Sequence, residues 1–79
     1  MDAEFVKFVA GLLKIDPALL KEDSTAATMP EWDSLNHWMI IGELEGKYGV
    51  EFSMDEAVEF ENLGDIYQMI QIKRKNLRG

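Results

Sequence analysis

The sequence predicts an all-α fold of four helices, the third very short, with a long loop between the first and the second. Three observations carry that expectation. Apolar residues recur at three- and four-residue intervals in separate stretches, the period of a helix with one buried side. Helix-starting residues precede those stretches: Asp16-Pro17, Asp33-Ser34, Ser53 with Glu56, and Asn62 with Asp65. No run alternates apolar and polar residues for long enough to demand a strand, and "VEF" at 50–52 is too short to be one.

The elements follow in order. In "AEFVKFVAGLLK", Phe5, Val9, Leu12 and Leu13 mark one buried stripe of a first helix. Asp16-Pro17 joins a capping acid to the residue best tolerated at a helix's first position, so "DPALL" should form a short turn that tucks Leu19 or Leu20 under the core. From there to Asp33 the chain is mostly Ser, Thr, Ala, Pro and charge, and Pro30 discourages helix at Met29. A loop that long in a small domain either serves a function or wraps the body. In "SLNHWMIIGELEGKYG", Leu35, His37, Ile40, Ile41, Leu44 and Tyr48 are expected along one side of a second helix that stops at Gly49. Ser53 and Glu56 have capping-box spacing and open a third helix of one or two turns. Leu63, Ile66, Met69 and Ile70 give a fourth, whose negative end suits the basic tail at 73–79. We expect one domain over residues 1–79, with a helical body at about 3–75.

Composition narrows the function. Seventy-nine residues leave little interior for a deep, water-free active site, so a binding or carrier module is expected before an enzyme. There is no cysteine, hence no disulfide framework or thiolate metal site. Residues 1–15 hold acids at Asp2 and Glu4 and no long apolar run; no secretory leader or membrane span is expected, and the expected compartment is the cytoplasm. The net charge is −7, and all fifteen acids lie in residues 1–72 against four of the eight bases. Such a field repels nucleic acid and anionic lipid and steers the chain toward basic protein surfaces. The acids lack the D-x-D-x-D-G spacing of a calcium loop, and no metal site is expected.

The stretch "EWDSLNHW" at 31–38 places one small hydroxyl, Ser34, at the head of the second helix. Asp33, Ser34 and His37 contain the residue types of a nucleophile triad. However, there is no G-x-S-x-G elbow, and no Gly-rich stretch to supply an oxyanion hole. His37 is better read as a half-buried helix residue whose polar edge reaches backbone or water. Trp32 suits a hydrophobic staple against the first turns of the helix. For Ser34 two readings stay open: Asp33 or Ser34 caps the helix, or Ser34 offers a hydroxyl for a phosphate ester where first-turn amides and the helix dipole favour an anion.

"DSL" at Asp33, Ser34 and Leu35, following a helix and a long loop and opening an apolar helix, resembles the acyl carrier proteins. The similarity runs through "DSLNHWMIIGELEGKYGVEF", the short third helix, "NLGDIYQMI" and the acidic balance, nearly the whole chain in family order. The resemblance implies a four-helix bundle of acyl-carrier type. In that family a phosphopantetheinyl transferase attaches 4′-phosphopantetheine from coenzyme A to the serine, and the arm's thiol carries acyl groups as thioesters. It implies no enzymatic activity, a monomer, and acyl-loading and acyl-transfer partners with basic docking surfaces. Carried over to this chain, it makes Ser34 the attachment residue flanked by Asp33 and Leu35. It makes Met39, Glu43 and Glu45 docking candidates on the second helix. Ile41, Phe52, Val58, Phe60 and Leu63 become candidates to line an acyl shelter.

The chain also departs from the family pattern. Fatty-acid carriers usually have Gly and a small residue before "DSL", where this chain has Glu31 and Trp32. Peptidyl carriers tend to have two glycines there. Met39 stands where an acid is common, and Gly42 where a bulky apolar residue is. "WDSL" followed by His37 looks more like discrete carriers of specialised pathways than the housekeeping fatty-acid carrier. The alternative is an acidic helical adaptor with the carrier fold and no arm.

Overall fold

The computed structural model describes the backbone of residues 1–77 and the side chains of 1–75. Arg78, part of the expected basic tail, lies outside the described residues. The order is α1 (Ala3–Leu13), a single 3-10 turn (Pro17–Leu19), α2 (Ser34–Tyr48), α3 (Met54–Glu59) and α4 (Leu63–Leu77). Among the described residues there is no strand, as the sequence implied.

Each start is fixed by a side chain that accepts an orphan amide. Asp2 accepts from Phe5 N–H at 2.8 Å to begin α1, and Asp16 from Ala18 N–H at 2.9 Å to begin the turn. Ser53 and Glu56 form the anticipated capping box, with bonds of 2.8 and 3.1 Å. Asn62 accepts from Asp65 N–H at 2.9 Å at the head of α4. The ends differ. α1 and α2 both close on a left-handed residue, Lys14 (φ 59°) and Gly49 (φ 66°), whereas α3 runs into Phe60 in extended conformation.

The core is built by α1, α2 and α4. Phe5, Val9, Ile40, Leu44, Leu63, Ile66 and Ile70 are completely buried. Leu20 is buried while Leu19 is exposed, so the 3-10 turn delivers one of its two leucines inward. The long loop wraps the body, one of the two roles its length implied. It buries Ser24, Met29 and Trp32, and its backbone carbonyls at Glu22 and Ser24 accept from Gly64 and Leu63 N–H, both at 2.9 Å. Gly64 belongs there because a Cβ would meet the Glu22 carbonyl oxygen at 3.1 Å.

Three expectations need correction. Leu12 is only partly buried; Ala10 is buried in the α1 stripe as well. Leu35, expected on the buried side of α2, is 78% exposed. It stands nine residues from Leu44, about 900° around the helix, and so lies half a turn away from the buried face. Val58 is 64% exposed. It follows Ala57, the buried residue of α3, by one position, about 100° around the axis, and a six-residue helix has one inward side.

Candidate functional site: an exposed serine at the head of α2

Ser34 is the first residue of α2, and it is exposed. It is not the cap. Asp33 holds that place in extended conformation (φ −88°, ψ −179°); its carboxylate accepts from Asn36 N–H at 2.8 Å and its carbonyl from His37 N–H at 2.8 Å. Asn36 also reaches back, donating from Nδ2 to the Glu31 carbonyl at 2.7 Å. The helix start is therefore closed without the serine. Among the described residues no group holds the Ser34 hydroxyl, and the Ser34 and Leu35 amides take no part in the cap.

Behind this corner stands an aromatic chain. Trp32, immediately before the cap, is buried and stacks on His37, five residues on, with ring centres 6.0 Å apart and planes 18° from parallel. This is the staple position, filled by an indole and an imidazole. Trp32 Nε1–H donates to His37 Nδ1 at 3.1 Å, and His37 Nε2 lies 2.9 Å from the Ala57 carbonyl oxygen. An indole N–H can only donate, so Nδ1 is the accepting nitrogen and Nε2 carries the proton given to Ala57. Imidazole thus serves a backbone carbonyl, as the half-buried reading of His37 anticipates. With its ring nitrogens so engaged, it has none left to act as a base toward Ser34. Trp38, 45% exposed, packs edge-on to His37 at 5.7 Å. It lies four residues from Ser34, hence one turn along the same side of the helix.

The docking candidates separate on inspection. Met39 is half-buried, and Glu43 is exposed. Glu45 is half-buried and accepts from Phe52 N–H at 2.8 Å, so its carboxylate fixes the α2–α3 connection. Neither spacing nor charge in the sequence could have signalled that bond.

The acyl-shelter candidates lie in different surroundings. Ile41 and Leu63 are core residues, Val58 faces solvent, and Phe52 and Phe60 meet edge-on at 5.5 Å. Phe60 lines a cavity of about 230 Å³ with Met69 and Ile72, between α3 and α4. Phe52 borders an open trough of about 510 Å³ beside Gly46 and Gly49.

Among the described residues no helix is long and apolar enough to cross a membrane, and no group of His, Asp and Glu side chains is arranged to hold a metal ion.

No protein-family model matches the chain, and no curated protein does. Solved structures do match. One is the solution NMR structure of a holo acyl carrier protein from Geobacter metallireducens, with a TM-score of 0.83 at 25% identity, covering 92% of this chain and 84% of that one. Over nearly its whole length, then, the chain has the fold of an acyl carrier protein, with Asp33-Ser34-Leu35 at the head of its second helix.

Proposed function

We propose that Ser34 carries 4′-phosphopantetheine and that the chain delivers an acyl or related group, held as a thioester, to partner enzymes. The observation that carries this reading is the division of labour at the head of α2, where Asp33 caps the helix and leaves the Ser34 hydroxyl exposed and unengaged. The residues fit the group. A phosphodiester on Ser34 would sit at a helix start whose Ser34 and Leu35 amides are not used by the cap, an environment that favours an anion. The arm supplies a thiol for the cargo, and its tether keeps that cargo at high effective concentration near whichever enzyme docks. Leu35, exposed beside the serine, offers apolar contact to the transferase and to later partners.

Partner enzymes with basic docking surfaces suit the acids of α2 and α3. Glu43, Asp55 and Glu59 are exposed, and such charges act mainly through encounter rate and discrimination. Met39 substitutes an apolar contact for an acid on this surface and favours partners other than the housekeeping fatty-acid enzymes.

The test is intact mass after incubation with coenzyme A and a broad-specificity phosphopantetheinyl transferase. One arm should be added to the wild type and none to Ser34→Ala, which should remain folded because the cap is Asp33. Modification of the Ala variant would move the site. A wild type that no transferase modifies would favour the armless adaptor.

A further inference from the structure

Helix α3 is held to the body at two polar points. His37 Nε2–H donates to the Ala57 carbonyl, and on the neighbouring residue Lys73 of α4 pairs with Glu56 at 3.1 Å. The His37 bond answers a specific need. α3 is six residues long, its last four carbonyls have no partner within the helix, and it ends at extended Phe60 without the left-handed closure that α1 and α2 have. His37 takes one of those carbonyls. The same ring is clamped through Nδ1 by buried Trp32, which adjoins the Asp33 cap. A continuous path of two hydrogen bonds and one ring stack therefore joins α3 to the residues that present Ser34.

We propose that His37 is a positioning residue that couples α3 to the Ser34 corner, so that displacing α3 changes how the serine and anything attached to it are presented. α3 is the element best able to move. Ala57 is its buried residue, and Met54 and Val58 face solvent. When it swings, the Ala57 carbonyl leaves Nε2, the imidazole is free to turn, and the indole N–H loses its fixed acceptor. The path runs equally in reverse, because coupling between two sites is reciprocal. Its consequence for cargo rests on Ser34 being the attachment point; the coupling itself does not.

The experiment is a double-variant cycle in the unmodified chain, read by NMR exchange of the Trp32 indole N–H and of the two amides that Asp33 holds, at residues 36 and 37. Lys73→Gln loosens α3 at its Glu56 tether without touching the corner. It should speed exchange of the Trp32 indole and of the amides at 36 and 37 about fivefold, the scale of one weakened hydrogen bond. The exposed Trp38 indole is the internal control and should not change. In a His37→Phe background, where the ring stack remains but both bonds are gone, Lys73→Gln should still speed the α3 amides yet add nothing at residues 36 and 37. His37→Gln, which keeps a donor and an acceptor, should restore part of the coupling, as lost packing alone would not. If His37→Phe fails to fold, Trp32→Phe cuts the same path at its other bond, and the cycle is read at residues 36 and 37.

Equal effects of Lys73→Gln in both backgrounds, or none at Trp32 in the wild type, would overturn the proposal. Attachment of the arm should in turn alter α3 exchange in the wild type and not in His37→Phe. A wild type that cannot be modified would defeat the carrier reading and leave the exchange cycle to decide the coupling.

Discussion

The three long helices and α3 are held by different physics. α1, α2 and α4 each contribute completely buried side chains, among them Phe5 and Val9, Ile40 and Leu44, Leu63, Ile66 and Ile70. α3 buries Ala57 and otherwise depends on a capping box, one imidazole, one ion pair and the edges of Phe52 and Phe60. Apolar burial contributes about 25 cal/mol per Å², so a helix that buries little beyond a methyl group gains little from it. Polar contacts, each worth on the order of 1 kcal/mol net, make up the rest. The difference teaches where the molecule can change shape at small cost: beside the serine and not through the core.

The comparison breaks first if its largest consequence fails. Leu44→Ala should cost about 2–5 kcal/mol, from lost transfer energy and the cavity left behind. At about 4–8 °C per kcal/mol for a domain of this size, that is enough to abolish a cooperative transition or lower it by tens of degrees. Val58→Ala should stay within about 0.5 kcal/mol. Thermal or urea unfolding of both variants decides the point. Comparable losses would mean that α3 is as much part of the core as α2.

This contrast also marks what could be read from the sequence. Periodicity found the long helices, since Phe5, Val9, Ile40, Leu44, Ile66 and Ile70 repeat at helical spacing and all are buried. Local chemistry found the ends: the Ser53–Glu56 box and the Gly49 stop need only neighbours a few residues away. Angular phase was harder to judge at a helix's first turn. Leu35 was counted with the buried side although it lies half a turn from Leu44. Contacts between elements were out of reach. The Trp32–His37 pair has staple spacing, but nothing local shows that the other imidazole nitrogen meets Ala57, twenty residues away. Glu45 has the look of a free surface acid, and only the fold brings it to the Phe52 amide. The exposed serine was legible as a motif. Its freedom from capping duty was not, because Asp33 and Ser34 are equally good caps on paper.

The second consequence sharpens the account of α3. Removing its cap by Ser53→Ala should cost about 1 kcal/mol. The loss should appear as faster amide exchange in α3 with little change in the long helices. Acid should act on the same element. The backbone hydrogen bond from Ser53 first, and then the Lys73 ammonium, hold the Glu56 carboxyl below the ordinary glutamate range. A carboxylate whose folded pKa is depressed gives stability that is complete above its unfolded pKa and is lost as pH falls through the folded value. The protection of the α3 amides, taken relative to their intrinsic exchange rate at each pH, should therefore fall as pH drops below the ordinary glutamate range, and Glu56→Gln should flatten that dependence. A pH response unchanged in Glu56→Gln would assign the effect to other carboxylates.

The smallest effect tests the helix ends. α1 and α2 close on left-handed residues, but α1 does so with Lys14, whose Cβ opposes that conformation, and α2 with Gly49, which has none. Lys14→Gly should relieve the strain, less what the glycine adds to the entropy of the unfolded chain, for a net gain of up to about 1 kcal/mol. Gly49→Ala introduces the same strain without such relief and should lose a comparable amount. A Cβ at position 49 meets no atom within 4 Å, so any loss there is conformational and not steric crowding. Neither change should reach α3, whose end is closed by His37. Unfolding midpoints that move in opposite directions for the two variants, with α3 exchange unaltered, are the expected result. If both variants are neutral, left-handed closure contributes little here, and the contrast between the long helices and α3 rests on burial alone.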